Sequence, residues 1–194
     1  MIRNTATGYG LIAIAFHWTM ALLIAGMLAL GLYMTSLPPT AADTFWYYQL
    51  HKSFGFVVLA LAVLRLVWRV VNPAPKLPSG MSAFEKFLAH AGHTGLYGLM
   101  LALPLTGWIM VSASPWNIPT VLFNTLPVPH LPVPAFLGDK PAAEALMKEL
   151  HENGAWLLIA LLVAHIAAAL KHHFLSRDTT LQRMISTRPA RANG

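Results

Sequence analysis

Along four stretches of this chain apolar residues follow one another so closely that no alternation of polar and apolar positions survives. The first covers about residues 9–34 and contains LIAIAFHWTMALLIAGMLALGLYM. The second covers about 46–71, as WYYQLHKSFGFVVLALAVLRLVWRVV, the third about 84–113 and the fourth about 149–174. A helix crosses the hydrocarbon core of a bilayer with roughly 20 residues, and each stretch exceeds that. Inside lipid every backbone N–H and C=O must be satisfied within its own segment, so runs of this length are expected as helices. Trp and Tyr gather near their ends, where interfacial anchors sit. The pattern predicts an all-α integral membrane protein, a four-helix transmembrane bundle forming a single domain over 1–194.

The connections differ in character. Between the second and third spans lies NPAPKLPSG, short and proline-rich. Residues 114–148 hold PWNIPTVLFNTLPVPHLPVPAFLGDKP, which is expected to form a cap or re-entrant loop. A short helix over about 142–148 is expected to lead into the fourth span. No internal repeat is evident.

Composition narrows the class. Hydrophobic residues make up 56% and charged residues only 10%, which excludes an ordinary soluble domain. There is no cysteine, so disulfides, cysteine-ligated iron–sulfur clusters and covalent C-x-x-C-H haem attachment are excluded. Any haem here is non-covalent, held by histidine or methionine. The nine methionines are scattered among leucines and are expected to pack. The net charge of +6 is placed at membrane flanks, with no basic run interleaved with aromatics, so nucleic acid is not an expected partner. Arg3, Arg65, Arg69, Lys76, Lys86, Lys171, Arg177, Arg183, Arg188 and Arg191 fall on one side, ten of the 13 basic residues. Lys52, Lys140 and Lys148 fall on the other. The positive-inside rule then places both termini and the middle connection in the cytoplasm and the 114–148 loop outside. The first span is too long for a cleavable signal peptide and lacks a small-residue cleavage site.

Polar chemistry inside the spans is concentrated in histidine. An imidazole in a bilayer costs free energy and is usually partnered or functional. His17 lies near the inner end of the first span and His165 towards the inner end of the fourth. His51 and His151 lie near the outer ends of the second and fourth. Pairing by depth joins His17 with His165 and His51 with His151. His151 and His165 are 14 residues apart, roughly 21 Å along a helix axis and on nearly one face. One helix could thus give an axial ligand to each of two stacked haems, an arrangement that moves electrons.

Arg65 follows His51 by the same interval and should lie near the depth of His165. Arg65 and Arg69 could pair with haem propionates; snorkelling to the interface is the other reading, most of all for Arg69. His90 and His93, at i and i+3, could line a quinone pocket, relay protons, touch a propionate or serve only at the interface. His172 and His173 look like boundary residues, and His130 in the loop is unassigned. Gly26, Gly31, Gly55, Gly95, Gly98 and Gly107 would allow close approach of a helix or a macrocycle. A haem-free transporter using membrane histidines for metal or protons is the reading from a different class.

The segments IAFHW, LHKSFG, LRLVWR, AHAGHTGLYGLMLALPLTGW, the PW at Pro115 and Trp116, and LHENGAWLLIALLVAHIAAALKHHF followed by LQRM resemble the bacterial cytochrome b561 family. The resemblance covers most of the chain outside the proline-rich loop and the extreme C-terminus. It implies a small four-span protein of the inner membrane binding two haem b groups, with His17, His51, His151 and His165 as iron ligands. It also implies delivery of electrons to ubiquinone. One branch of the family oxidises superoxide at the outer face, and this chain is similar to that branch in length and free-standing plan. Superoxide is then the expected donor. Lys52, beside His51, is the local positive charge expected to attract it, although acidic residues outnumber lysines on that side. No protein partner is required. The rival within electron transfer is a cytochrome b subunit serving a dehydrogenase or hydrogenase.

Overall fold

The structure is a computed structural model that describes residues 1–41 and 43–187, so Arg188 and Arg191 lie outside the described residues. Four long helices dominate it: α1 (Leu11–Ser36), α2 (Thr44–Val71), α3 (Ala83–Ala113) and α4 (Lys140–Phe174). All four are long and apolar enough to cross a membrane. A two-stranded hairpin, β1 (Thr120–Leu122) and β2 (Leu126–Val128), and short 3-10 turns at Ala135–Leu137 and Gln182–Met184 complete the elements.

Local chemistry sets the helix starts. Ser82 and Glu85 form a reciprocal capping box at the head of α3. The Glu85 backbone N–H donates to Ser82 Oγ at 3.2 Å, and the Ser82 N–H donates to Glu85 Oε2 at 2.9 Å. Asp139 caps α4, accepting at 2.9 Å from the Ala142 N–H, and Pro141 sits in the first turn where its missing N–H costs nothing. The fourth helix therefore begins at Lys140, not near residue 149, and the short lead-in expected at 142–148 is its first turns. The segment after Asp139, Lys140 and Pro141 is too polar to read as a membrane span, which hides this start in the sequence.

The chain divides into two compact units. Among the described residues, unit 1 comprises Met1–Ala21, Leu61–Gly98 and residues 158–187; unit 2 comprises Leu22–Ala60 and Leu99–Leu157. Arg3, Arg65, Arg69, Lys76, Lys86, Lys171, Arg177 and Arg183 all belong to unit 1, and Lys52, Lys140 and Lys148 to unit 2.

Unit 1 is closed by a polar cap built from three segments. The N-terminal segment folds back on the start of α1: Leu11 N–H donates to Met1 O at 2.9 Å and Gly10 N–H to Asn4 Oδ1 at 2.8 Å. Gly10 is required there, because a β-carbon would come within 2.3 Å of Ile2 O. Asn4 also reaches the α2–α3 connection through Asn72 and Pro73. The C-terminal tail joins through Trp18 Nε1, which donates to Met184 O at 2.7 Å, and Arg183, which donates to Lys76 O at 2.8 Å. An ion pair between Lys171 and Glu85 ties α4 to α3.

Unit 2 carries the hairpin, within the segment expected to form a cap or re-entrant loop. Phe123 and Asn124 both have positive φ, 48° and 56°, and the Thr125 N–H donates to Leu122 O at 3.0 Å. With Leu122 paired to Leu126, the loop is three residues, Phe123, Asn124 and Thr125, and the two positive φ values close it. Pro127 is tolerated because a two-stranded sheet is all edge. The hairpin is fastened to α2, where the Phe123 N–H donates to the buried Ser53 hydroxyl at 3.0 Å. It is fastened to α3 by Trp108 Nε1, which donates to Pro129 O, and by Ser112 Oγ, which accepts from the Leu131 N–H.

Candidate functional site

In unit 2 the His51 and His151 rings face each other with centroids 6.2 Å apart. Helix backbones shape the space around both. A β-carbon on Gly31 of α1 would lie 3.3 Å from His51 Cε1, and one on Gly107 of α3 would lie 3.2 Å from His151 Cε1. These two glycines make room for the imidazoles themselves. Gly55 and Gly95 instead approach Met27 and Leu161, while Gly26 and Gly98 meet nothing within 4 Å.

His151 is also oriented. Its Nδ1 lies 3.0 Å from the Leu103 carbonyl oxygen and 3.2 Å from Thr106 Oγ1. A carbonyl only accepts, so Nδ1 carries the ring proton and Nε2 keeps its lone pair. Metal-binding histidines commonly have this arrangement, with one ring N–H fixed by a carbonyl.

In unit 1 the His17 and His165 centroids are likewise 6.2 Å apart. Here the orienting group is Arg65, whose Nη2 donates to His17 Nδ1 at 3.2 Å. Arg65 and Arg69 converge on Tyr97, with guanidinium carbons 5.3 and 5.5 Å from its ring centroid. His93 packs edge-on against His165, centroids 5.3 Å apart, with Nδ1 bonded to Ala89 O. His90, by contrast, is exposed and bonds Lys86 O in its own helix. The structure brings His93 to the pair and leaves His90 away from it.

The remaining polar residues have local partners. Lys52 Nζ donates to Pro119 O at 3.3 Å, sharing that carbonyl with Gln49. His130 bonds Asn117 Oδ1. His172 is buried and shares a 2.6 Å hydrogen bond with Asp178. Burial works against ionisation of Asp178, but Thr180 and His172 outweigh it and hold the carboxyl below its usual range.

Two imidazoles bound to opposite sides of one metal by bonds of about 2 Å hold their ring centres roughly 6 Å apart. Both pairs fit that spacing. Among the described residues no group of three or more His, Asp or Glu is placed to hold a metal ion. Two nitrogens alone suit an iron whose other four positions a porphyrin fills.

The family model for prokaryotic cytochrome b561 matches residues 8–187. This chain belongs to the prokaryotic cytochrome b561 family. Relatives include cytochrome b561 homolog 2 of Escherichia coli K12, 37% identical over 94% of this chain and 93% of that one. Cytochrome b561 homolog 1 of the same organism is 29% identical over 90% and 95%. A Yersinia pestis protein named probable superoxide oxidase CybB is 29% identical over 91% and 95%. Membership makes this an integral membrane electron-transfer protein that binds haem b.

Within the b561 fold several participants were not legible in the sequence. The Leu103 carbonyl carries no side-chain signal. Thr106 could have been suspected from its place beside Gly107, one turn from the pair. Tyr97 lies a turn beyond His93, and its meeting with both arginines depends on how α2 and α3 pack. Asp178 reaches His172 because the chain turns back after α4, with Arg177 at a φ of 51°.

Proposed function

We propose that this protein holds two haem b groups, one in each unit, and passes electrons from superoxide to ubiquinone. The equal 6.2 Å spacing of the two imidazole pairs carries this reading. His51 and His151 would hold the haem of unit 2, and His17 and His165 that of unit 1. When bound, the cofactor would supply one-electron chemistry, and two histidines on each iron would favour electron transfer over oxygen binding.

The protein's own groups do the rest. Leu103 and Thr106 keep the His151 Nε2 lone pair available. His17 Nε2 would be the nitrogen that holds the iron, and Arg65, with Arg69 beside it, would pair with an anionic group such as a propionate. Lys52 supplies positive charge next to His51 for an approaching anion. The concentration of basic residues in unit 1 supports placing the α2–α3 connection and both termini in the cytoplasm of a bacterial inner membrane. The 114–148 loop would then lie outside, at the entry for electrons. The name of the Yersinia pestis relative supports the choice of donor.

The decisive measurement is the visible spectrum of the purified protein. A reducible b-type band at about two haems per chain is expected, reduced by superoxide and reoxidised by ubiquinone. His51→Ala or His151→Ala should remove one haem, and His17→Ala or His165→Ala the other. Haems that superoxide leaves oxidised would sink the enzyme assignment. Loss of the same haem from His17→Ala and His51→Ala would refute the pairing.

A further inference from the structure

Unit 1 contains a cavity of about 600 Å³ under its polar cap, well within the size range of small-molecule sites. Glu85, His172, Ser176, Asp178, Thr179 and Arg183 line it, and the α2–α3 connection at residues 78–81 forms another wall. Its polar groups come from three separate parts of the chain, and Met81 and Pro78 add apolar surface.

The two carboxylates facing the cavity are already matched. Glu85 is bound by Lys171, and Asp178 by His172. A cation would have to displace one of these partners, whereas Arg183, whose Nη1 is held by Lys76 O and whose Nε has no partner, is left to receive an oxygen acceptor. The hydroxyls of Ser176 and Thr179 and the guanidinium of Arg183 offer hydrogen bonds to carbonyl oxygens at its edges. His172 is only 8% exposed, and its Nδ1 is engaged by Asp178, so Nε2 is the nitrogen left for a ligand. A carboxylate behind an imidazole is the arrangement that fixes a ring for proton transfer.

Position matters as much as lining. His172 follows His165 by seven residues on α4. That is close to two turns, roughly 10 Å along the axis and on nearly the same face. A molecule bound at His172 would lie roughly 10 Å along α4 from His165.

We infer that the cavity receives the head group of the quinone, with His172 handing it protons and Asp178 orienting and recharging the imidazole. This inference rests on the quinone-reducing reading above. The balance is complete. Two superoxide anions become two dioxygen molecules and release two electrons. The quinone takes up those two electrons and two protons to become the quinol. One proton at a time passes from His172 Nε2 to a quinone oxygen, and solvent replaces it through the Asp178 side.

The test uses the haem-loaded protein, reduced anaerobically with dithionite, freed of excess reductant and mixed with ubiquinone-1. Because the reductant is chemical, the identity of the natural donor does not enter. The b-band should decay rapidly in the unaltered protein. His172→Gln should slow this decay at least tenfold while the reduced spectrum and haem content stay unchanged, and Asp178→Asn should slow it in the same direction. Ser79→Trp, which fills the cavity from the connection without touching the dyad, should raise the quinone concentration needed for half-maximal rate. Decay within twofold of the unaltered protein in both His172→Gln and Ser79→Trp would overturn the site. Failure of ubiquinone-1 to oxidise even the unaltered protein would overturn the acceptor reading, and this site with it.

Discussion

Single side chains decide how tightly each imidazole is held. Gly107 leaves 3.2 Å between its implied β-carbon and His151 Cε1, so any larger residue must displace that ring. Gly107→Val should therefore lower occupancy of the unit 2 haem and spare that of unit 1, as quantified by the b-band amplitude per chain. Gly31→Val should act in the same direction on His51, from a gap of 3.3 Å. Thr106→Val keeps the shape of the side chain but deletes the hydroxyl beside His151. Loss of such an outer contact costs roughly tenfold or more in metal-site affinity, which haem titration of the apoprotein would measure. An affinity equal to that of the unaltered protein would show that the Leu103 carbonyl alone suffices. The histidines were legible in the sequence because a bilayer makes every imbedded imidazole conspicuous. Their neighbours were not, since glycine, threonine and a carbonyl are unremarkable in any apolar helix.

At the scale of elements, the four helices were legible from unbroken apolar runs, and their ends less so. The head of α4 shows why. Asp139, Lys140 and Pro141 form a strong start signal, but the turns that follow hold Glu144, Lys148 and Glu149 and lie outside the apolar run. Hydropathy alone therefore trims a helix that its cap begins earlier. Asp139→Ala should cost about 1 kcal/mol of stability, visible as a lower thermal midpoint in detergent with the haem spectrum retained. The hairpin was hidden for the opposite reason. Pro119, Pro127 and Pro129 argue against strands, and only its attachment to α2 and α3 gives it a fixed place. Ser53→Ala removes the acceptor for the Phe123 N–H and leaves that donor without its buried partner. Such losses cost about 1–3 kcal/mol, and proteolysis within residues 114–138 should quicken accordingly.

For the molecule as a whole, charge distribution and fold agree. Among the described residues, eight basic ones lie in unit 1 and three in unit 2, the asymmetry that orients membrane proteins. Reporter fusions at the C-terminus should be active only with a cytoplasmic reporter, and fusions within residues 114–138 only with an exported one; the reverse pattern would invert the direction of electron flow proposed above. The gathering of basic residues on one side was legible from their places at the ends of the apolar runs. The two units also differ in how their histidines are steered. His17 answers to a guanidinium, which a codon change can erase. His151 answers to an oxygen of the peptide chain, which none can, because every amino acid supplies one. A survey of random variants would then score Arg65 as sensitive and position 103 as permissive, and the quieter position would be the one whose contribution heredity cannot remove.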